Sequence, residues 1–373
     1  VWVLVFEVNG LKALILAGGF GTRLRPLSCT RPKLLFPVAG KPVIDWILQG
    51  LSMGGVDTAI LAVNYMAEAL ARYLGPTKFN VGILYSREAR PMGTGGPIKM
   101  AEGLLRDSDI FLVLNGDVLS ELDYRSIIQY HMEKGGLATI ALYQVEDPSR
   151  YGSVEVDGRG RILRFVEKPE PGKAPSNLVN AGIYVFDRRV LDYIPQGRRV
   201  STEREVFPTL AREGVLYGYE MKGLWVDIGI PQDYLNANRL LLSRPNVGQI
   251  AEGANIDERA KILPPVYVGS GVEIGADSII GPYTSIGEDV YVGKGCRVEG
   301  SIIFPGASIG DHTSIRDAIV GESATIERWV KVETGSLIGD YAEIADGVTI
   351  TRDVTICPSK RIEESILEVH QVM

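Results

Sequence analysis

Cysteine is scarce in this 373-residue chain: Cys29, Cys296 and Cys357 stand far apart and form no CxxC pair. That excludes a disulfide framework and a thiol metal or redox motif, and it suits a reducing compartment. Positive charge is also in deficit. Lys and Arg number 39 against 46 Asp and Glu, a net charge of −7, so the basic footprint of a nucleic-acid binder is missing. No apolar run approaches the ~18–20 residues of a membrane span. The opening VWVLVFEV (1–8) is too short for one and lacks the basic flank and cleavage site of a signal peptide. It reads as an extra strand or a start-site artefact. The expectation is a soluble, cytoplasmic protein with neither nucleic acid nor membrane as partner. Glycine, in contrast, is abundant at 43 residues, well above the usual ~7%. With 20 prolines, near the average, this is not a collagen or linker composition. At ~150 residues per domain the length suggests two or three domains, each able to bury a full core.

Two halves of the chain carry different periods. Over 11–240, β-rich runs (11–17, 57–63, 81–85, 110–115 and from 138) alternate with helical patterns (41–51, 64–74, 97–106, 123–134). Such alternation predicts βαβ units and a mostly parallel sheet, which binds ligands at the carboxyl ends of its strands. The stretch 150–230 is richer in short strands and predicts a mixed sheet, and a helix over 231–242 closes this half, with Pro231 suited to its first turn. After residue 250 a small aliphatic residue recurs every six positions: Ile256, Ile262, Val268, Ile274, Ile280, Ile286, Val292, Val298. The series slips by one near 304–309 and 315–320, then resumes from Ile326 to Ile356. A hexapeptide period predicts a parallel β-helix of triangular coils, aliphatic residues inward. Glycine often follows the aliphatic position, where it would tolerate the tight backbone of a corner. The organisation expected is an extension (1–10), an α/β domain (11–245) and a hexapeptide-repeat domain with its tail (246–373).

The first strand runs into AGGFGTRLRPLSCTRPKLLFPVAGKP (17–42). It is not a P-loop, which needs GxxxxGK[ST], nor a dinucleotide fingerprint, because Leu24 stands where GxGxxG requires glycine. What remains is a glycine-rich loop whose N–H groups can approach a phosphate or base, followed closely by Arg23 and Lys33, two cations able to neutralise a triphosphate. For glycine spacing alone, a tight turn beside a solvated Arg and Lys explains as much. Asp117 follows an apolar strand, and Asp227 ends another apolar run in VDIG. Carboxylates there suit Mg²⁺, which takes one or two of them plus waters and phosphate oxygens.

The whole string resembles the signature of the sugar-nucleotide pyrophosphorylases, nucleotidyltransferases that act on sugar 1-phosphates. MGTGGPIKMA (92–101), FLVLNGDVL (111–119), FVEKP (165–169), NAGIYVF (180–186) and LWVDIGIPQDY (224–234) resemble further family segments in the family's order. Within the family the likeness is nearest to the guanylyltransferases that act on mannose 1-phosphate, although GTGGP and NGD stand where GTAGP and NSD are usual. The resemblance implies a Rossmann-like nucleotidyltransferase domain followed by a left-handed parallel β-helix, with Mg²⁺ as cofactor. It also implies site residues. Arg23 is assigned to the β,γ-phosphates, Lys33 to the α-phosphate or the sugar phosphate, and Asp117 and Asp227 to the metal. Gly18, Gly19, Gly21, Thr22, Gly93 and Gly95 belong to the nucleotide. Gly152, Glu167, Lys168, Asn180 and Gly182 belong to the sugar phosphate.

Glu88 is a candidate for base choice, because a carboxylate can accept from guanine N1–H and N2–H₂ together, and this favours GTP over UTP. The alternatives are a pyrophosphorylase of UTP or dTTP with glucose 1-phosphate, a non-catalytic regulatory subunit that binds sugar nucleotide, and a bifunctional enzyme using His312 of the repeat region for acetyl transfer. The uninterrupted loop with Arg23, Lys33, Asp117, Lys168 and Asp227 all present favours catalysis. The flat coil faces of a β-helix imply a homo-oligomer.

Overall fold

A computed structural model describes residues 10–64, 66–369 and 371–372; the strand expected over 1–8 lies outside them. The chain forms two compact units, and neither is contiguous in sequence. Among the described residues, one comprises 10–19 and 44–225, and the other comprises 20–43 and 226–372.

The first unit is built on a ten-stranded mixed sheet. Its central strands Ile110–Asn115, Lys12–Leu16, Thr58–Val63 and Val81–Arg87 lie side by side and parallel. The first three are apolar runs buried on both faces, as parallel strands covered by helices must be, whereas Val81–Arg87 is only partly buried and exposes Leu84. The helices Val43–Met53, Ala67–Leu74 and Tyr124–Lys134 fall where the apolar period put them. The last is capped by Asp123, whose carboxylate accepts from Arg125 N. The pattern over 97–106 resolves into two short helices, Gly95–Met100 and Glu102–Leu105. Antiparallel strands complete the sheet: Leu178–Asp187 pairs with Ile110–Asn115, with Ala138–Gln144 and with Gly152–Val156. This is the mixed region expected over 150–230. The core includes Phe111, Tyr184, Phe186 and Phe207 with the aliphatic residues of the central strands.

The second unit contains the hexapeptide repeats. Three parallel sheets of seven, six and seven short strands stack coil on coil, as expected for the left-handed β-helix. Val268 lies over Ile286, eighteen residues on. The slips in the period are coils one residue shorter, in which Ile286 lies over Ile303 and Ile303 over Val320. The aliphatic residues of the period fill the interior from Val268 to Ile356, with Ile256 and Ile262 only partly covered at the first coil.

The corners reveal two separate backbone demands. One residue per corner adopts a left-handed conformation, and most are not glycine: Asp277, Tyr283, Asp289, His312, Asp317, Ser323, Trp329, Tyr341 and Asp353 all have φ between 45° and 62°. The glycines that follow the aliphatic position have another reason. At Gly269, Gly275, Gly293 and Gly339 φ is ordinary, but a Cβ would stand 2.4–2.8 Å from atoms of the next coil, mostly backbone. Close stacking, rather than torsion, requires glycine there. Residues 20–43 and the helix Pro231–Leu242 complete this unit. No helix among the described residues is long and apolar enough to cross a membrane.

Candidate active site

In the first unit Gly18, Glu88 and Asp117 follow the carboxyl ends of parallel strands. Backbone bonds tie these loops together: Ala17 N donates to Ala62 O, Glu88 N to Val63 O and Gly116 N to Leu16 O, all at 2.9–3.0 Å. Gly18 leaves the first strand between two side chains. A Cβ there would stand 3.7 Å from Asn64 Cβ and 3.7 Å from Glu88 Oε2. Beyond it, Gly19 is exposed, and a Cβ on it would meet nothing within 4 Å.

Glu88 is only 5% exposed. Its Oε2 receives one long bond, 3.4 Å from Met92 N, while Oε1 has no hydrogen-bond partner. Burial raises its pKa above the ordinary carboxylate range. The Asn64 Nδ2 donor is likewise buried and unpartnered. Buried polar atoms in this state are uncommon, and a bound ligand is one way to satisfy them. Glu88 was legible in the sequence; Asn64, in an ordinary AVNY segment, was not.

The MGTGGP loop owes its glycines to packing. A Cβ at Gly93 (φ 80°) would lie 2.2 Å from Val200 O, and one at Gly95 would lie 3.0 Å from Val200 Cγ1. Gly95 N donates to Val200 O and Val200 N to Met92 O. Thr94 hydroxyl donates to Glu203 Oε2 at 2.6 Å and itself accepts from Thr202 N at 2.9 Å. Thr202–Val206 is a single turn of π-helix, a form often found at functional sites.

Of the residues expected on the sugar side, Asn180 and Glu167 lie near Tyr184. Asn180 donates to the Tyr184 hydroxyl at 3.0 Å and accepts from Gly182 N at 2.9 Å. The strand bulges between Asn180 and Tyr184, which re-aims side chains as bulges beside sites do. At the bulge Gly182 has φ 74°, and its Cβ would lie 2.6 Å from Asn115 Nδ2. Gly152 is opposite Glu167 across an antiparallel pair, with no room for a side chain beside the Phe165 ring and the Glu167 carboxylate. Burial first, and the nearby Glu203 carboxylate second, raise the pKa of Glu167; Lys168 and Arg204 oppose this. Lys168 is exposed and left-handed (φ 49°), its N–H bonded to Tyr151 O. Asp117, half-buried in the turn after Asn115, adds its charge to those of Glu203 and Glu167 around the buried Tyr184 hydroxyl. Glu203 was missed in the sequence because nothing local distinguishes STERE from a solvated helix start.

The second unit holds Gly21, Thr22, Arg23, Lys33 and Asp227. Gly21 is left-handed (φ 59°) and caps the 3₁₀ turn Thr22–Leu24. Its carbonyl accepts from the Ser28 hydroxyl at 2.8 Å, and a Cβ would stand 3.9 Å from Lys33 Cβ. Thr22 and Arg23 are exposed and Lys33 is half-buried. Arg23 and Asp227 flank Gly229: a Cβ there would be 2.8 Å from Arg23 Nη2 and 2.9 Å from Asp227 Oδ1. The guanidinium and the carboxylate therefore share one neighbourhood, and Gly229 in DIG keeps it open. His312 lies at a β-helix corner, left-handed and stacked on Trp329 with centroids 4.2 Å apart and planes at 21°.

The nucleotidyl transferase family model matches residues 12–244, and the GMPPB C-terminal domain model matches residues 262–372. Mannose-1-phosphate guanylyltransferase 1 of Arabidopsis thaliana is 36% identical over 371 residues, spanning 97% of this chain and 100% of that protein. Mannose-1-phosphate guanylyltransferase catalytic subunit beta of Drosophila melanogaster is 37% identical over 386 residues, 98% of each. Among solved structures, HddC from Yersinia pseudotuberculosis complexed with GMP-PN is 31% identical. It covers 61% of this chain and 98% of its own, with a TM-score of 0.52.

Proposed function

The chain belongs to the nucleotidyl transferase family, and on that premise we propose that it joins GTP and mannose 1-phosphate to give GDP-mannose and pyrophosphate. An oxygen of the sugar phosphate attacks the α-phosphorus of GTP; that P–O bond forms as the bond to the β-phosphate bridging oxygen breaks, and pyrophosphate carries away the electron pair. The attacking phosphate is already ionised, so no general base is required. Positioning and charge neutralisation carry the catalysis.

The observation that bears most on the base is the Glu88–Asn64 pair beside Gly18. A buried acceptor and a buried donor without protein partners match a base that presents N1–H and N2–H₂ to a carboxylate and an acceptor to an amide. Guanine does this; uracil has no such pair of donors. Arg23 acts on the β,γ-phosphates and the departing pyrophosphate. Lys33 acts on the α-phosphate and Lys168 on the sugar phosphate. Gly18, Gly19, Gly21, Thr22, Gly93 and Gly95 line the nucleotide's path. Glu167 and Asn180 accept and donate to sugar hydroxyls, with Gly152 and Gly182 letting Glu167 and Asn115 pack close beside them. Asp117 and Asp227 supply hard carboxylate oxygens, a donor type that fits Mg²⁺. When bound, the ion neutralises phosphate charge. The stacked coils, with an open end, also suit a homo-oligomer.

The test is a matrix of nucleoside triphosphates against mannose, glucose, galactose and N-acetylglucosamine 1-phosphates, with Mg²⁺, following pyrophosphate release. GTP with mannose 1-phosphate is expected to give the highest kcat/KM, and Glu88→Ala to lower the GTP-over-UTP ratio about 10-fold or more, the scale of a lost hydrogen-bonded discriminator. An unchanged ratio would sink the role of Glu88. No pyrophosphate from any pair would point to the regulatory alternative.

A further inference from the structure

The loop that carries Lys33 is held by two β-helix carboxylates, Asp340 and Glu322, and Asp340 is the buried one. Asp340 is 1% exposed and all its bonds are directional. Its Oδ1 accepts from Glu322 N at 2.8 Å, which fixes it to the adjacent coil. Its Oδ2 accepts from the Thr30 hydroxyl at 2.6 Å and from Arg31 Nη2 at 3.1 Å. The same guanidinium pairs with Glu322 and lies over the Phe304 ring, 4.8 Å from its centroid. Burial works against the Arg31 charge, but the two carboxylates outweigh it and raise its pKa above the ordinary value.

Two residues on from Arg31 comes Lys33, and three beyond that Phe36, fully buried and edge-on to the same Phe304 at 5.9 Å. Between these anchors the backbone is one 3₁₀ turn, closed by Leu35 N to Pro32 O and Phe36 N to Lys33 O. Lys33 thus sits on a turn with little slack, pinned on one side by charge and on the other by aromatic packing.

We propose that Asp340, 309 residues beyond Arg31 in sequence, is a positioning residue that sets the Lys33 ammonium through Arg31. The inference rests on the role given to Lys33 above. It makes the β-helix a working part of the phosphate-handling loop. Loss of the Asp340 charge releases one anchor, while Phe36 keeps the loop packed. A shift on the order of 1 Å at a reacting group can cost about 10²-fold in rate.

The experiment is a double-mutant cycle on the full chain. Asp340→Asn, Lys33→Ala and the pair are assayed for pyrophosphate release at saturating GTP and mannose 1-phosphate, and melting curves confirm that each variant is folded at the assay temperature. Asp340→Asn is expected to lower kcat about 10- to 100-fold in the wild-type background and less than about 2-fold in the Lys33→Ala background, because coupled residues are non-additive. A merely structural role would lower the melting temperature and leave kcat per folded molecule unchanged; that result, or equal losses in both backgrounds, overturns the proposal. Should Asp340→Asn not fold, Glu322→Gln removes a more exposed partner of the same guanidinium and carries the same cycle. Full activity in Lys33→Ala alone would instead refute the role of Lys33 on which the inference stands.

Discussion

Gly339 and Gly347 lie eight residues apart in the β-helix and are glycine for opposite reasons. At Gly339 φ is ordinary, but an added Cβ would lie 2.6 Å from Pro358 N and 2.8 Å from Cys357 C of the next coil. Gly339 N also donates to Ile356 O at 2.8 Å, so the coils cannot part there without stretching that bond. Overpacking costs about 1–3 kcal/mol and a weakened ladder bond about 1 more, which puts Gly339→Ala near 3 kcal/mol. At Gly347 the torsion is left-handed (φ 73°), yet a Cβ would meet nothing within 4 Å. The equivalent corners of the preceding coils carry His312 and Trp329 in the same conformation. A non-glycine residue there pays about 1 kcal/mol in torsion, and recovers about half or more from the stiffer unfolded chain. For a unit of this size each kcal/mol moves the midpoint by about 2–4 °C. Gly339→Ala should therefore lower the β-helix melting transition by about 6–12 °C, and Gly347→Ala by less than about 4 °C. Calorimetry of the full chain reads both. Equal shifts, or a larger one at Gly347, would refute close coil stacking as the reason for the repeat glycines.

Asn238→Ala should destabilise the second unit by about 3 kcal/mol, since the fully buried Asn238 accepts from Ala39 N (2.9 Å) and Ser285 hydroxyl (2.7 Å) and donates to Tyr283 O (3.3 Å); a loss below 1 kcal/mol in denaturant titration would count against that role. His131 is buried beside Thr139, and burial depresses its pKa from 6.5 to about 4. Its contribution is whole above pH 6.5 and fades as pH falls toward 4, about 3 kcal/mol in all, so His131→Gln should flatten the stability profile across that window. Glu88 has the opposite sign: its raised pKa means that ionisation costs stability as pH rises. Glu88→Gln should melt higher than wild type at pH 7, with the advantage gone below the usual carboxylate range. Gly182→Ala, which would press a Cβ on Asn115 in a left-handed bulge, should lower kcat/KM for mannose 1-phosphate more than for GTP; equal effects on both would place the bulge away from the sugar.

Periodicity made most of the architecture readable from the chain alone. The six-residue recurrence from Ile256 to Ile356 specified the β-helix and its inward row, because each coil repeats the same short-range demand. The alternation of apolar strands with amphipathic helices gave the parallel core and put Asp117 after its strand. The motif string identified Arg23, Lys33, Glu167 and Asp227 as candidates, and Glu88 stood out because a carboxylate can accept from the guanine edge. What no local pattern carries is pairing across long separations. That Arg31 meets Asp340, that Asn238 joins Ala39 to Ser285, that Thr94 meets Glu203 and that residues 20–43 group with the β-helix were all decided by packing. Each depends on which buried polar atoms find partners once the chain is folded, and partner identity is a property of three-dimensional proximity. The corner glycines show the same division: their positions follow from the period, but their reason, the backbone of the next coil, exists only when coils stack.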